Sequence, residues 1–343
     1  MTEDILVLGG GRMGRVIAKD LSESYPVTVA DANLDPSLIL SDDLNGIQTD
    51  LSDYNTLCEL AESYDLIVSA LPANLSFAAL KAAIASGTNI VDVSYMKENP
   101  MLLYQAAHDS KVTAIVDVGV APGLTNLIAG RVAERQGYIG SGKLMVGGMA
   151  ADRNAPYGYR LTWSPEDLLS EYTRTARFIR DGQVVGASPL TGIEEVVVSG
   201  VGVLEAFLTD GLRTLLGMDE AQNLVEKTMR WPGHVEAVTP LVNNGTFIQE
   251  MKNKCMTGDD MVVLYCEIDG KIFQMVAYPK DGMTAMQRTT ALTCSTFAKL
   301  VAECGSLPYG VLTPEDLGKD EGLYEFVMEN LCYHGLEIEE RDG

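Results

Sequence analysis

The chain has 343 residues, more than one hydrophobic core usually serves, and 46% of them are apolar, enough for two packed domains. A formal net charge of −23 argues against a phosphate-neutralising surface, and no apolar run is long enough to cross a bilayer, so neither nucleic acid nor membrane is an expected partner. Glu3 and Asp4 stand where a secretory signal would be basic, and the six cysteines contain no C-x-x-C pair, so a cytoplasmic protein with reduced thiols is expected.

An apolar run, Ile5-Leu6-Val7-Leu8, leads into Gly9-Gly10-Gly11-Arg12-Met13-Gly14. A helical pattern follows (Val16, Ile17, Leu21), then a second strand, Val27-Thr28-Val29-Ala30, ending at Asp31. Strand, glycines, helix, strand and acid form the dinucleotide-binding fingerprint. Gly9 permits the tight turn, Gly11 lets backbone approach a pyrophosphate, and Gly14 lets the helix lie close. The helix N-terminus offers unpaired N–H groups to an anion. Asp31 lies 22 residues after Gly9, placed to accept the ribose hydroxyls. Its charge opposes a 2′-phosphate, and Ala32, Asn33 and Leu34 supply no cation, so NAD is the expected cofactor. A turn alone would explain the glycines but leaves Asp31 without a purpose.

Apolar runs then alternate with helical patterns: after a polar loop, a short strand ends at Asp50; a helix spans Tyr54 to Ser63; a buried strand runs from Asp65 to Pro72. A helix near Phe77 to Ser86 stops at Gly87, followed by a strand from Asn89 to Ser94, a helix near Pro100 to Ser110, and a strand from Val112 to Val120. The fold class is α/β: a Rossmann-type, doubly wound parallel sheet over residues 1–123. Ligands in such sheets sit at the strand ends, which here carry Ala70, Leu71 and Pro72, then Val93 and Tyr95, then Gly119 and Pro122. With Arg12, Met13 and Asp50, all but Tyr95 are candidate cofactor contacts; Tyr95 is a candidate substrate contact.

Beyond Gly123 a helix spans Leu124 to Gln136, and strand-like stretches cover Lys143–Met149, Glu194–Ser199, Leu204–Leu208, Met261–Cys266 and Lys271–Val276, the last two joined by Asp269-Gly270. Residues 124–284 are read as a mixed, mainly antiparallel α/β domain for substrate binding and oligomerisation. A helix from Thr284 to Glu303 then returns, and residues 285–343 complete the first domain.

Four further stretches resemble the saccharopine dehydrogenase superfamily. They are Val91-Asp92-Val93-Ser94-Tyr95-Met96, Asp117-Val118-Gly119-Val120-Ala121-Pro122-Gly123, Thr162-Trp163-Ser164-Pro165 with Glu171-Tyr172-Thr173-Arg174, and Met229-Arg230-Trp231-Pro232-Gly233-His234. Within that group the set looks most like the L-lysine 6-dehydrogenases. Saccharopine and carboxynorspermidine dehydrogenases tend to carry an acid where this chain has Ala121, which disfavours a secondary-amine substrate. The resemblance implies a homodimer or larger assembly and NAD-dependent oxidative deamination of the ε-amine of lysine. A saccharopine- or carboxynorspermidine-type reaction and a non-catalytic NAD sensor are the alternatives.

That reaction needs an anchor for the α-carboxylate, a neutral amine before hydride leaves, and water afterwards. Arg230, read as lying on a stiff loop, is the first candidate anchor and Arg174 the second, because a guanidinium matches a carboxylate bidentately. His234 is the candidate acid–base group, since an ordinary imidazole titrates near working pH. Asp92 and Asp117, at strand ends, are candidates for holding or deprotonating the ammonium. Trp163 and Trp231 are candidate walls for the aliphatic part of the substrate.

Overall fold

A computed structural model describes residues 3–39, 44–305 and 307–343; part of the polar stretch after Asp31 lies outside these. In chain order the first elements are β1 Ile5–Leu8, α1 Gly14–Leu21, β2 Val27–Asp31, β3 Leu44–Gln48, α2 Tyr54–Ala61, β4 Leu66–Ser69, α3 Ala73–Ser86, β5 Asn89–Asp92, α4 Tyr104–Asp109, β6 Thr113–Ile115 and α5 Leu124–Gln136. There follow β7 Gly142–Ala150, α6 Pro165–Glu171, β8 Ala176–Arg180, β9 Gln183–Ala187, β10 Glu194–Val198, β11 Gly202–Leu208 and β12 Leu224–Arg230. The rest are α7 His234–Asn244, α8 Phe247–Lys254, β13 Asp260–Ile268, β14 Lys271–Ala277, α9 Ala285–Glu303, β15 Gly310–Leu312, α10 Pro314–Lys319, α11 Glu321–Tyr333 and β16 Glu339–Asp342. No helix among the described residues is long and apolar enough to cross a membrane.

The chain divides into two compact units, Met1–Leu127 with Thr290–His334, and Ile128–Thr289 with Gly335–Gly343. In the first, the described strands form a parallel sheet in the order β15-β6-β5-β4-β1-β2-β3. Leu6, Leu8, Ile67 and Ile90 pack with Leu57, Ala79, Ala83 and Ala107 of α2, α3 and α4. The alternate residues Ile5, Val7, Val68 and Val91 are equally buried, so both faces of the sheet are covered. That is why these strands read as unbroken apolar runs. Asp53 caps α2 by accepting from the Thr56 N–H, and Gly87 ends α3 in the left-handed region. Two differences from expectation appear. β15 adds an edge strand beside β6, and regular pairing of β6 stops at Ile115 because the chain turns through Asp117 at φ +59°.

In the second unit the described strands form a mixed sheet, β10-β11-β12-β7-β13-β14-β16, with β8 pairing β12 and β9. The β12–β7 pair is parallel and the others are antiparallel. Because β16 pairs with β14, the last residues belong to this sheet rather than to the first domain. One face carries Met145, Met149, Leu204, Met229, Met261 and Val263. The other packs Phe207 against Leu168 of α6, Val235 and Val238 of α7, and Phe247 and Met251 of α8.

Candidate active site

The first unit holds the glycine loop. Gly9 has φ +98°, and a Cβ there would meet the Ala70 carbonyl oxygen at 2.9 Å. A Cβ on Gly14 would lie 1.8 Å from the Gly9 oxygen, so the start of α1 touches the turn itself. A Cβ on Gly11 would meet nothing within 4 Å, which leaves that backbone open to a ligand. Asp31 ends β2 and accepts hydrogen bonds from the N–H of Gly10 (2.6 Å) and of Asn33 (2.7 Å). α1 starts with no side-chain cap. An open glycine, uncapped helix N–H groups and an acid beside the loop fit a dinucleotide pyrophosphate and ribose. The sequence reading missed Arg15, whose guanidinium lies 3.3 Å from the Gly11 oxygen and 3.6 Å from Asp35. Arg12 is exposed and Met13 is the N-cap position of α1, whereas Asp50 is exposed and accepts from Ser52, bracing a turn.

The other candidate strand ends lie in the same unit, with Ala70 against Gly9. Ala70 donates its N–H to Leu8, and Pro72 caps α3. Val93 and Tyr95 are half-buried after β5. Gly119 donates to the Pro122 carbonyl, closing a tight loop that follows Asp117. Asp92 and Asp117 are both fully enclosed. Asp92 Oδ1 accepts from the Ser94 amide and hydroxyl, an Asx turn at the end of β5. Burial, with the Asp117 charge adding to it, pushes the Asp92 carboxyl up to about 6.

The second unit gathers Glu171, Tyr172, Arg230 and His234. Glu171 is the last residue of α6, whose start is capped by Ser164 with Pro165 next. Arg230 is the last residue of β12, not part of a loop, and its side chain is 3% exposed. Its Nε donates to the Tyr172 hydroxyl (3.1 Å), Nη1 to the Met229 carbonyl (2.9 Å), and Nη2 lies 3.5 Å from Glu171 Oε1. The guanidinium carbon sits 5.1 Å from the centre of the Tyr159 ring.

His234 opens α7. The glycine before it, at φ +92°, offers no side-chain cap, so Glu205 supplies one by accepting from the Gly233 and Val235 N–H groups at 2.9 and 2.7 Å. Nδ1 of His234 lies 2.8 Å from the Tyr157 carbonyl oxygen, which can only accept, so Nδ1 carries the hydrogen. Nε2 therefore accepts from the Tyr172 hydroxyl at 2.9 Å. Burial, reinforced by the Arg230 charge, pushes the imidazole down to about 3. The acid–base role expected for His234 is thereby corrected: both nitrogens are committed and the ring is neutral.

The remaining candidates separate. Trp163 donates its indole N–H to the Tyr159 hydroxyl (2.9 Å) and so joins the cluster. Trp231 donates to the Ala150 carbonyl and packs with the core on the other sheet face. Arg174 lies 3.9 Å from Asp210, to which Arg177 donates two hydrogen bonds. Glu205 and Glu226, both buried, went unread in the sequence. The signal was there in Leu224-Val225-Glu226-Lys227-Thr228-Met229-Arg230, where a period of two puts Glu226, Thr228 and Arg230 on one strand face.

Comparison with known proteins agrees with this architecture. The sequence profile of the saccharopine dehydrogenase NADP binding domain matches residues 5–115, and that of the saccharopine dehydrogenase C-terminal domain matches residues 119–336. Saccharopine dehydrogenase [NADP(+), L-glutamate-forming] of Pyricularia oryzae is 28% identical over 266 residues, covering 73% of this chain and 59% of that protein. The mitochondrial alpha-aminoadipic semialdehyde synthase of Rattus norvegicus is 26% identical over 264 residues, covering 72% of this chain and 28% of that protein. The chain thus spans less than two thirds of the length of these relatives. The solved apo saccharopine dehydrogenase (L-Glu forming) of Saccharomyces cerevisiae superposes with a TM-score of 0.82 at 18% identity, covering 99% of this chain and 100% of that one, and so shares the fold. With both of its domain profiles matched in order along one chain, the protein belongs to the saccharopine dehydrogenase family.

Proposed function

We propose that the chain is an NAD-dependent dehydrogenase that oxidises the ε-amine carbon of L-lysine, giving the semialdehyde and its cyclic imine with release of ammonia. The observation carrying this reading is the charge of the second-unit cluster. Glu171 and Glu205 stand beside Arg230 on the face that presents it, and Arg230 is already paired with Glu171. Lysine, with one carboxylate and a net positive charge, suits such a site. Saccharopine, with three carboxylates, would bring more anions to a cluster whose one fully buried guanidinium, among the described residues, is that of Arg230.

In this reading Gly11 and the start of α1 hold the pyrophosphate and Asp31 accepts the ribose hydroxyls. When bound, the dinucleotide supplies the oxidant, and the balance is primary ammonium, water and oxidised dinucleotide to aldehyde, ammonium, reduced dinucleotide and one proton. Arg230 forks the substrate carboxylate, Glu171 and Tyr172 hold the guanidinium, and neutral His234 fixes the Tyr172 hydroxyl. His234, pushed down to about 3, is not poised to take the ammonium proton, and burial drives Tyr159 and Tyr172 upward. In this reading the amine arrives already neutral, and the rate at sub-saturating lysine rises with pH toward the ordinary lysine value of ~10.4.

A second reading, oxidation of a secondary amine with NADP, is favoured by the names of the relatives and by Arg15 beside the glycine loop. Reduced-dinucleotide absorbance with lysine alone and with saccharopine, each with NAD and with NADP, separates the two. Turnover with saccharopine and NADP but not with lysine would overturn the first.

A further inference from the structure

On the face of β12 that presents Arg230, four side chains form a continuous line. Glu226 Oε2 lies 2.7 Å from the Thr209 hydroxyl, that hydroxyl 2.8 Å from the Thr228 hydroxyl, and Thr228 2.7 Å from Glu171 Oε1. Three hydrogen bonds need three hydrogens, and the two threonines supply only two. The third must sit on a carboxyl at one end. Glu171 is paired with the Arg230 guanidinium at 3.5 Å, so the proton is placed at the other end of the line, on Glu226.

We propose that Glu226 is a neutral, protonated carboxylic acid that donates along Thr209 and Thr228 to the Glu171 carboxylate, making it a positioning residue for the Glu171–Arg230 pair. The surroundings agree. Burial pushes the Glu226 carboxyl up to about 8, and the charges of Glu171 and Asp210 act in the same direction, against Arg230. The charged groups facing it are Glu171 at the end of α6, Arg230 on its own strand, and Asp210 after β11, which Arg177 of β8 and Arg174 neutralise from the far side. Its pairing partner on β7 is the uncharged Leu144, and Lys227 turns to the other face, toward Glu194. Gly211 lies over the carboxyl, where an added Cβ would stand 2.5 Å from Cδ. Above pH ~8 the line loses a hydrogen, and a second buried anion then competes with Glu171 for Arg230.

The role at the substrate rests on the proposed lysine site; the location of the proton does not. Two measurements on the full chain therefore separate them. Infrared spectroscopy at pH 7 should show a protonated-carboxyl carbonyl band that is lost near pH 8 and is absent from Glu226→Gln. Steady-state kinetics with lysine, with KM counted throughout on the neutral-amine form present at each pH, should show KM rising about tenfold or more above pH 8, the order of one hydrogen bond to a charged group, with kcat little changed. Glu226→Gln keeps a donor toward Thr209 without the titration, so its KM should stay level across the same range. Thr209→Val cuts the line and should raise KM already at pH 7 while retaining the carbonyl band. Absence of the band in the wild type, or an alkaline rise in KM that persists in Glu226→Gln, overturns the assignment. Absence of any turnover with lysine overturns the proposed function and leaves the infrared result to decide the proton.

Discussion

The hydroxyl of Tyr172 stands 2.9 Å from Nε2 of His234 and 3.1 Å from Nε of Arg230, so one oxygen links a neutral ring to a buried cation. It accepts from the guanidinium and donates to the imidazole, which fixes the tautomer of His234 and the pose of Arg230 together. This arrangement makes His234 a structural partner of the cation, and its consequences are measurable.

His234 should stay neutral from pH 5 to 9 in nitrogen-detected NMR, and the rate profile should have no limb near 6.5. Its folded value, about 3, is depressed below the unfolded 6.5. The unfolded chain therefore binds more protons between those values, so the stabilisation is present above pH 6.5 and is lost as pH falls toward 3. The slope is at most about 1.4 kcal/mol per pH unit. Denaturant titrations of wild type and His234→Asn across pH 4 to 7 should show the slope reduced in the variant; identical slopes would contradict the neutral ring.

The glycine loop offers a paired test. Gly14→Ala drives a methyl into the Gly9 carbonyl and should cost about 3 kcal/mol of stability. Gly11→Ala meets nothing and should melt like the wild type, yet lose most of its dinucleotide affinity, because the methyl fills the approach to the pyrophosphate. Calorimetric melting beside fluorescence titration of NADH reads both.

Asp31→Ala removes the acceptor now held by the Gly10 and Asn33 N–H groups. Affinity for NADH should fall about tenfold to a hundredfold, while that for NADPH changes little or improves, since the repelling charge is gone. Equal losses for both would place the adenosine ribose elsewhere.

Arg230→Leu leaves Glu171 half-enclosed beside apolar groups and should destabilise the fold by about 3–5 kcal/mol, with part of the loss recovered in the double variant with Glu171→Leu. Arg230→Lys keeps the charge but not the fork, so the KM for lysine should rise about tenfold with a smaller change in kcat. A pure fall in kcat would argue against a carboxylate anchor.

Local signals carried the first unit. The glycines, the acid 22 residues later and the apolar runs are short-range demands of a buried parallel sheet and an anion-binding turn, so they appear as contiguous patterns. The loop at Gly119 and Pro122 and the helices α5 and α9 were legible for the same reason. β15 was not, because three residues are too few to show a period; β8 and β12 were not, because their charged residues resemble a loop, and β9 was not, because Gln183 and Gly186 leave it only two adjacent valines. Arg230 was thus found as a residue but assigned the wrong backbone.

What the amino-acid order determined by itself was the two-domain α/β class, the dinucleotide crevice and the family likeness. Only the tertiary structure decided the chemistry of the second cluster. Tyr172 and His234 are 62 residues apart, and Thr228 and Glu171 are 57 apart, so their contacts leave no mark on local spacing. Protonation is likewise a property of enclosure: burial drives the imidazole of His234 down, with Arg230 acting the same way, and the carboxyl of Glu226 up, against Arg230.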